Sequence, residues 1–150
     1  MIDKLADLNL GFADFLCSLL VSSGYLEKDA RDKVKISEDY SSLSSTLNRV
    51  HFMISFYKNG TGSRRVSISL EGDEEKASRI DRVLGELKSI SQLRREAGNL
   101  VDRSVNYDSM SKEVVIGCRL KRSPEHIAAE SLYTDVWGYL LKPAIRVLST

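Results

Sequence analysis

The side chains able to do chemistry in this chain are few and scattered. The two histidines, His51 and His126, stand far apart, with no His-x-x-x-His or Glu-x-x-His spacing to set two metal ligands on one helical face. The two cysteines, Cys17 and Cys118, also lack a metal-type partner, and both read as small core residues of a reduced, intracellular protein. Asn59-Gly60-Thr61-Gly62-Ser63-Arg64-Arg65 has the glycines of a phosphate loop. It lacks the Gly-Lys-Ser/Thr ending and leads into no helix, so it reads as a hairpin turn. Asp73-Glu74-Glu75 is acidic, but capping a helix accounts for it. No acid, base, nucleophile or metal set assembles from these residues. The expectation is a non-enzymatic chain with no catalytic residue, no metal and no cofactor.

The arginines are the sharper signal. Arg64-Arg65, Arg94-Arg95 and Arg119, Lys121 and Arg122 all fall at the ends of predicted elements. Brought together, they would form a positive patch for phosphates, with Tyr57 and Tyr107 available to stack on bases. The competing reading is a solvated surface balanced by 21 acidic residues.

Bulk composition bounds the rest. At 150 residues, 42% hydrophobic and 29% charged, the chain fits one globular domain spanning 1–150. A net charge of +1 sets up no global field toward nucleic acid or membrane. No basic leader precedes a long apolar run, and no stretch approaches the roughly 18 apolar residues of a membrane span. A cytoplasmic chain without a membrane partner is expected. A single glutamine and a slight excess of Arg over Lys would suit a thermophile.

The elements that must position these residues read in order. Asp3 to Ser23 is a helix, with Leu5, Leu8, Phe12, Leu16 and Leu19 at steps of three and four. Asp3 suits its cap and Gly24 its end. Lys33-Val34-Lys35-Ile36 has the composition of a short edge strand blunted by lysine. Glu38 to Thr46 is mostly polar and serine-rich, and is expected to be a loop with room for one turn of helix. Val50 to Leu70 is a hairpin: Val50, Phe52, Ile54 and Phe56 face Val66, Ile68 and Leu70 across the glycine turn. Asp73 to Ala97 is a helix striped by Ile80, Val83, Leu84, Leu87 and Ile90, with Gly98 as its stop.

A second hairpin follows. Val101, Val105 and Tyr107 are expected on one side of its first strand, with Asp102, Ser104 and Asn106 opposite. Asp108-Ser109-Met110-Ser111 is the turn, and Val114, Ile116, Cys118 and Leu120 form the dry face of the return strand. Ser123-Pro124-Glu125 starts the last helix, whose stripe is Ile127, Leu132, Val136, Tyr139, Leu140 and Ile145. Pro143 should kink or end it near Leu141–Lys142.

The result is an α+β fold: an antiparallel sheet of two hairpins, plus a short edge strand, packed with three long helices in the order α-(β)-β-β-α-β-β-α. This order resembles the fold of class I type III secretion chaperones and YbjN-like proteins. The local echoes are Asn106-Tyr107-Asp108 before the turn, Glu113-Val114-Val115-Ile116 in the strand, and Leu120 to Tyr139 beyond it. The resemblance implies a dimer that holds other polypeptides and carries no cofactor. By size, and by helices flanking a β part, the chain also resembles small subunits of archaeal CRISPR effector complexes.

The first and last helices carry more large apolar residues than one narrow stripe needs. Phe12, Phe15, Leu19, Tyr133, Trp137 and Leu141 are therefore assigned to a protein interface. The expected function is protein binding, chaperone-like or adaptor in kind, by a homodimer. The alternative is an RNA-binding or ribonucleoprotein subunit using the arginine patch.

Overall fold

Alternating dry and wet side chains organise the centre of the molecule into one antiparallel sheet. The computed structural model describes residues 4–22, 33–93, 99–121 and 129–149. The strands are β1 (Lys35–Ile36), β2 (Leu43–Leu47), β3 (Val50–Lys58), β4 (Arg64–Glu71), β5 (Leu100–Asp108) and β6 (Glu113–Leu120). They pair in the order β1-β2-β3-β4-β6-β5. One face is dry: Phe52, Ile54, Phe56, Val66, Ile68, Leu70, Val114, Ile116 and Cys118 are all buried. The helices are α1 (Lys4–Ser22), α2 (Glu74–Leu93), α3 (Ala129–Val136) and α4 (Lys142–Leu148). α1 packs over β3 and α2 over β5, while α3 touches α1 and α4 touches α2. No described element covers the other face, which is the usual arrangement for a one-sided antiparallel sheet.

The α+β architecture and both expected hairpins are present. The loop expected over Glu38–Thr46 is not: β2 occupies Leu43–Leu47. Leu43 and Leu47 are buried, and Ser45 takes the inward position between them. Its hydroxyl donates to the Lys33 carbonyl at 2.9 Å, which makes the polar position tolerable there. Asn48 and Arg49 join β2 to β3 with φ of 51° and 67°. Two positive φ values in a two-residue loop are the signature of a type I′ hairpin turn. Ahead of β2, Asp39 accepts hydrogen bonds from Ser41 and Ser37, and these hold its carboxyl below the usual range.

Phe56 lies beyond the end of β2, so its backbone has no strand neighbour on that side. Asn9 of α1 fills the place. Its carboxamide accepts from Phe56 N–H at 2.8 Å and donates to the Phe56 carbonyl at 3.2 Å. The same Nδ2 donates to the Tyr40 carbonyl at 3.0 Å. A buried Asn in a run of leucines thus ties α1, β3 and the β1–β2 turn together.

The glycine turn between β3 and β4 is closed by Asn59, whose Oδ1 accepts from Thr61 N–H at 3.1 Å and Ser63 N–H at 2.9 Å. Asp73 caps α2 through the Lys76 N–H at 2.8 Å. The caps and stops expected at Asp3, Gly24, Gly98 and Ser123-Pro124-Glu125 lie outside the described residues, as does Ile127.

Two local irregularities depart from the simple pattern. In β5 the ladder slips by one residue between Val101 and Ser104, where Asp102 adopts φ 54°. The bulge puts Val101 opposite Arg119 while Val105 stays opposite Ile116, so the two valines do not share the expected side. In the last helix the break expected at Leu141–Lys142 is a π turn over Trp137–Leu141. The helix then resumes at Lys142, with Pro143 in its first turn. The widened turn accommodates the proline's missing N–H without ending the helix.

The core also corrects the interface assignment. Phe12 and Leu141 are fully buried, and Tyr133 is 6% exposed. Phe12, Phe15, Phe56 and Tyr133 form one aromatic cluster with ring centroids 5.4 to 6.2 Å apart. The Tyr133 hydroxyl donates to the Leu8 carbonyl at 3.1 Å. Burial pushes that hydroxyl up to about 12, and the carboxylates of Asp14 and Asp7 add to the shift. Phe12, Tyr133 and Leu141 therefore join α1 and the last helix to the sheet inside one protomer. Phe15, Leu19 and Trp137 keep part of their surface.

By length and composition α1 is apolar enough to cross a membrane: Leu5–Ser22 has a mean hydropathy of 1.5. This overturns the expectation that no stretch approaches a span. In this fold 33% of that window is buried, and Leu8, Phe12, Leu16 and Leu20 supply the core with it.

Candidate protein-binding groove

α2 and the last helix are in contact, and a groove open to solvent lies along their seam. Its volume is about 490 Å³. The floor is apolar: Val83 and Leu87 come from α2, Trp137 from the π turn, and Pro143 and Val147 from α4. The π turn matters here, because it carries Trp137 and Gly138 on the groove side while Leu140 and Leu141 stay buried. Trp137 is half-buried and is the chain's only tryptophan.

The rim is positive. Among the described residues Arg79, Lys142 and Arg146 line the groove and no acidic residue does. None of the three makes an ion pair with a described residue. Lys76, one turn before Arg79, donates to the Leu148 carbonyl at the end of α4 at 3.3 Å. In a chain of net charge +1 this is a local excess of cations over an apolar floor. The opposite flank of α2 has the other sign. There Glu74 and Asp81 line a polar hollow of about 410 Å³ against β5, together with Asn106 and Tyr107.

A smaller cavity of about 80 Å³ lies between α2, β5 and α3, with Cys118, Arg103 and Asp135 in its wall. Arg103 reaches Asp81 at 3.6 Å. Asp135 is engaged by Asn99, accepting from its backbone N–H at 2.8 Å and its side chain at 2.9 Å. These contacts fasten the start of β5 to α2 and α3.

The described members of the expected basic patch, Arg64, Arg65, Arg119 and Lys121, do not form a single cluster. Arg64 and Arg65 are adjacent in β4, so they project to opposite faces of the sheet. Arg65 and Arg119 are register partners on the open face, and Tyr57 pairs with Arg65 in the same cross-strand row. Arg65 leans over Gly117: its guanidinium lies 4.0 Å from where a side chain on that residue would begin. Arg119 is already engaged, donating from Nε to Asp102 at 2.8 Å. Lys121 is exposed just past β6. Tyr107 pairs with Val114 and packs against the core on the helix side, away from Tyr57. Arg94, Arg95 and Arg122 lie outside the described residues.

His51 is exposed on β3, with Nδ1 3.2 Å from the Thr46 hydroxyl. His126 lies outside the described residues. Cys17 is half-buried and Cys118 is buried, and neither is in a disulfide. Among the described residues no group of three His, Cys, Asp or Glu side chains is placed to hold a metal ion.

Comparison with protein-family models, curated proteins and solved structures finds no match.

Proposed function

We propose that this chain is a non-enzymatic protein-binding domain, chaperone-like or adaptor in kind, that works as a homodimer. The observation carrying the reading is the groove between α2 and α4: an apolar floor in which Val83, Leu87 and Trp137 keep part of their surface above the buried Pro143 and Val147. Apolar area of that kind is stabilised by an apolar partner surface, and an aromatic in a concave site is a common anchor for one. The half-exposed Phe15 and Leu19 on α1 supply a separate surface for self-association. The test is selection of a random peptide library on the purified chain, with counter-selection on V83E, whose fold is checked by circular dichroism. Enrichment of sequences that depend on the intact groove supports the reading, and no enrichment over the variant counts against it.

A second reading has its own observation. Tyr57, Arg65 and Arg119 form one row on the uncovered sheet face, an arrangement suited to stacking a base and meeting a phosphate. This supports an RNA-binding or ribonucleoprotein subunit as the alternative. The Asp102 carboxylate on Arg119 lowers the charge that the row presents.

A further inference from the structure

The groove's rim says what kind of polypeptide belongs in it. Resting on the protein-binding reading, we infer that its occupant is a segment of another protein carrying apolar anchors flanked by Asp or Glu, laid along the α2–α4 seam. The floor accepts apolar side chains. The charged residues described on the rim are cations: Arg79 from one wall, Lys142 and Arg146 from the other. Lys142 and Arg146 are four residues apart on α4, one helical turn, so they present two charges along the length of the seam. Arg79 faces them from α2. A segment lying between the walls meets positive charge on both sides.

The charges of the seam have no described acidic partner, whereas Arg119 and Arg103 elsewhere are paired with Asp102 and Asp81. Among the described residues, these cations therefore stand uncompensated beside the partly exposed Val83, Leu87 and Trp137. Opposite charge on the partner complements them, steers its approach and disfavours basic segments. Nucleic acid meets the charge but not the floor. Its sugar-phosphate chain has nothing to place against Val83, Leu87, Pro143 and Val147, and a single half-buried tryptophan offers one stacking position. A second copy of this chain would have to present its own acidic surface, and the hollow beside Glu74 and Asp81 is concave rather than protruding.

Trp137 makes the test direct, because all tryptophan emission from this chain comes from the groove. Three amphipathic peptides with the same Leu and Phe anchors are titrated into the full chain, their flanking positions filled with Glu, Gln or Lys. Each is titrated again into R79E/K142E/R146E and into R79Q/K142Q/R146Q, with circular dichroism melting of every variant. The Glu peptide should shift Trp137 emission and bind roughly tenfold or more tighter than the Gln peptide, from about three exposed charge pairs. The Lys peptide should bind weakest. The reversal variant should invert the order, and the Gln variant should level it even if the reversal variant fails to fold.

Equal binding of all three peptides would overturn the acidic preference and leave the groove as a binding site. A Trp137 signal from none of them would overturn both. A signal from oligouridylate tighter than from the Glu peptide would assign the groove to nucleic acid and overturn the inference. A shift with chain concentration alone, undisturbed by peptide, would assign it to a second copy and also overturn it.

Discussion

Tyr133 crosses α1 at Gly11 so closely that any side chain on Gly11 would collide with the tyrosine hydroxyl. That hydroxyl is bonded to the Leu8 carbonyl one turn earlier. Gly11→Ala should therefore destabilise the fold by about 1–3 kcal/mol through overpacking. Gly11→Ala combined with Tyr133→Phe should recover part of the loss, because the clashing oxygen is gone. Urea melts of the two single variants and the double variant measure the coupling.

The same tyrosine gives the chain an alkaline signature. Its folded hydroxyl titrates near 12, against an ordinary value of about 10. The unfolded chain loses that proton first, so the contribution to stability is intact below pH 10 and is lost as pH rises toward 12. Tyr133→Phe should remove this component. The gap in melting temperature between the original chain and the variant should narrow over that window, and a constant gap would contradict the assignment.

Asn9 should matter more than its neighbours suggest. Asn9→Ala leaves the Phe56 N–H and carbonyl without partners in a buried place, at about 1–3 kcal/mol for each orphaned group. Asn9→Leu, although more hydrophobic, should be no better, because it restores neither bond. Chemical denaturation checks both.

Interior and surface members of the assigned interface should separate cleanly. Phe12→Ala should cost about 3–5 kcal/mol and Leu141→Ala about 2–5, since both side chains are fully buried. Leu19→Ser should act mainly on assembly, whereas Phe15→Ser should also cost stability, because its ring packs on Phe12 and Tyr133; the double variant is compared with both. In sedimentation at micromolar concentration the original chain is expected above its protomer mass of 16.8 kDa, and the double variant at it. A monomer for both would count against the homodimer.

The open sheet face answers to salt. Binding of labelled single-stranded RNA should be weak and largely gone near physiological ionic strength, because few phosphates are met and counterion release sets the affinity. Arg65→Ala with Arg119→Ala should abolish the remainder. Fluorescence anisotropy across a salt series measures it, and tight binding that survives physiological salt would favour the ribonucleoprotein reading.

What the chain discloses in its order of residues follows from periodicity. The hairpin from Val50 to Leu70 was legible because every second residue is large and apolar around a glycine turn. β2 was hidden for two reasons: Ser45 sits where an apolar residue is expected, and its turn is built from Asn48-Arg49 without a glycine. The interface residues were legible as apolar but not as interior, because burial depends on which helix lies across them. Arg64-Arg65 drew attention as a doublet, yet neighbours in a strand face opposite ways. The groove cations are not legible as a set for the converse reason. Arg79 stands apart from Lys142 and Arg146 in sequence, and only the α2–α4 packing sets the three around one floor.

The bulge in β5 has a bearing on stoichiometry. Strand-by-strand polymerisation needs an edge that is long, flat and in register with its copy. At one end of this sheet β1 offers two residues, and at the other the ladder of β5 is displaced at Asp102. Neither end is a template for propagation. Addition of copies strand to strand is therefore disfavoured at both ends of the sheet.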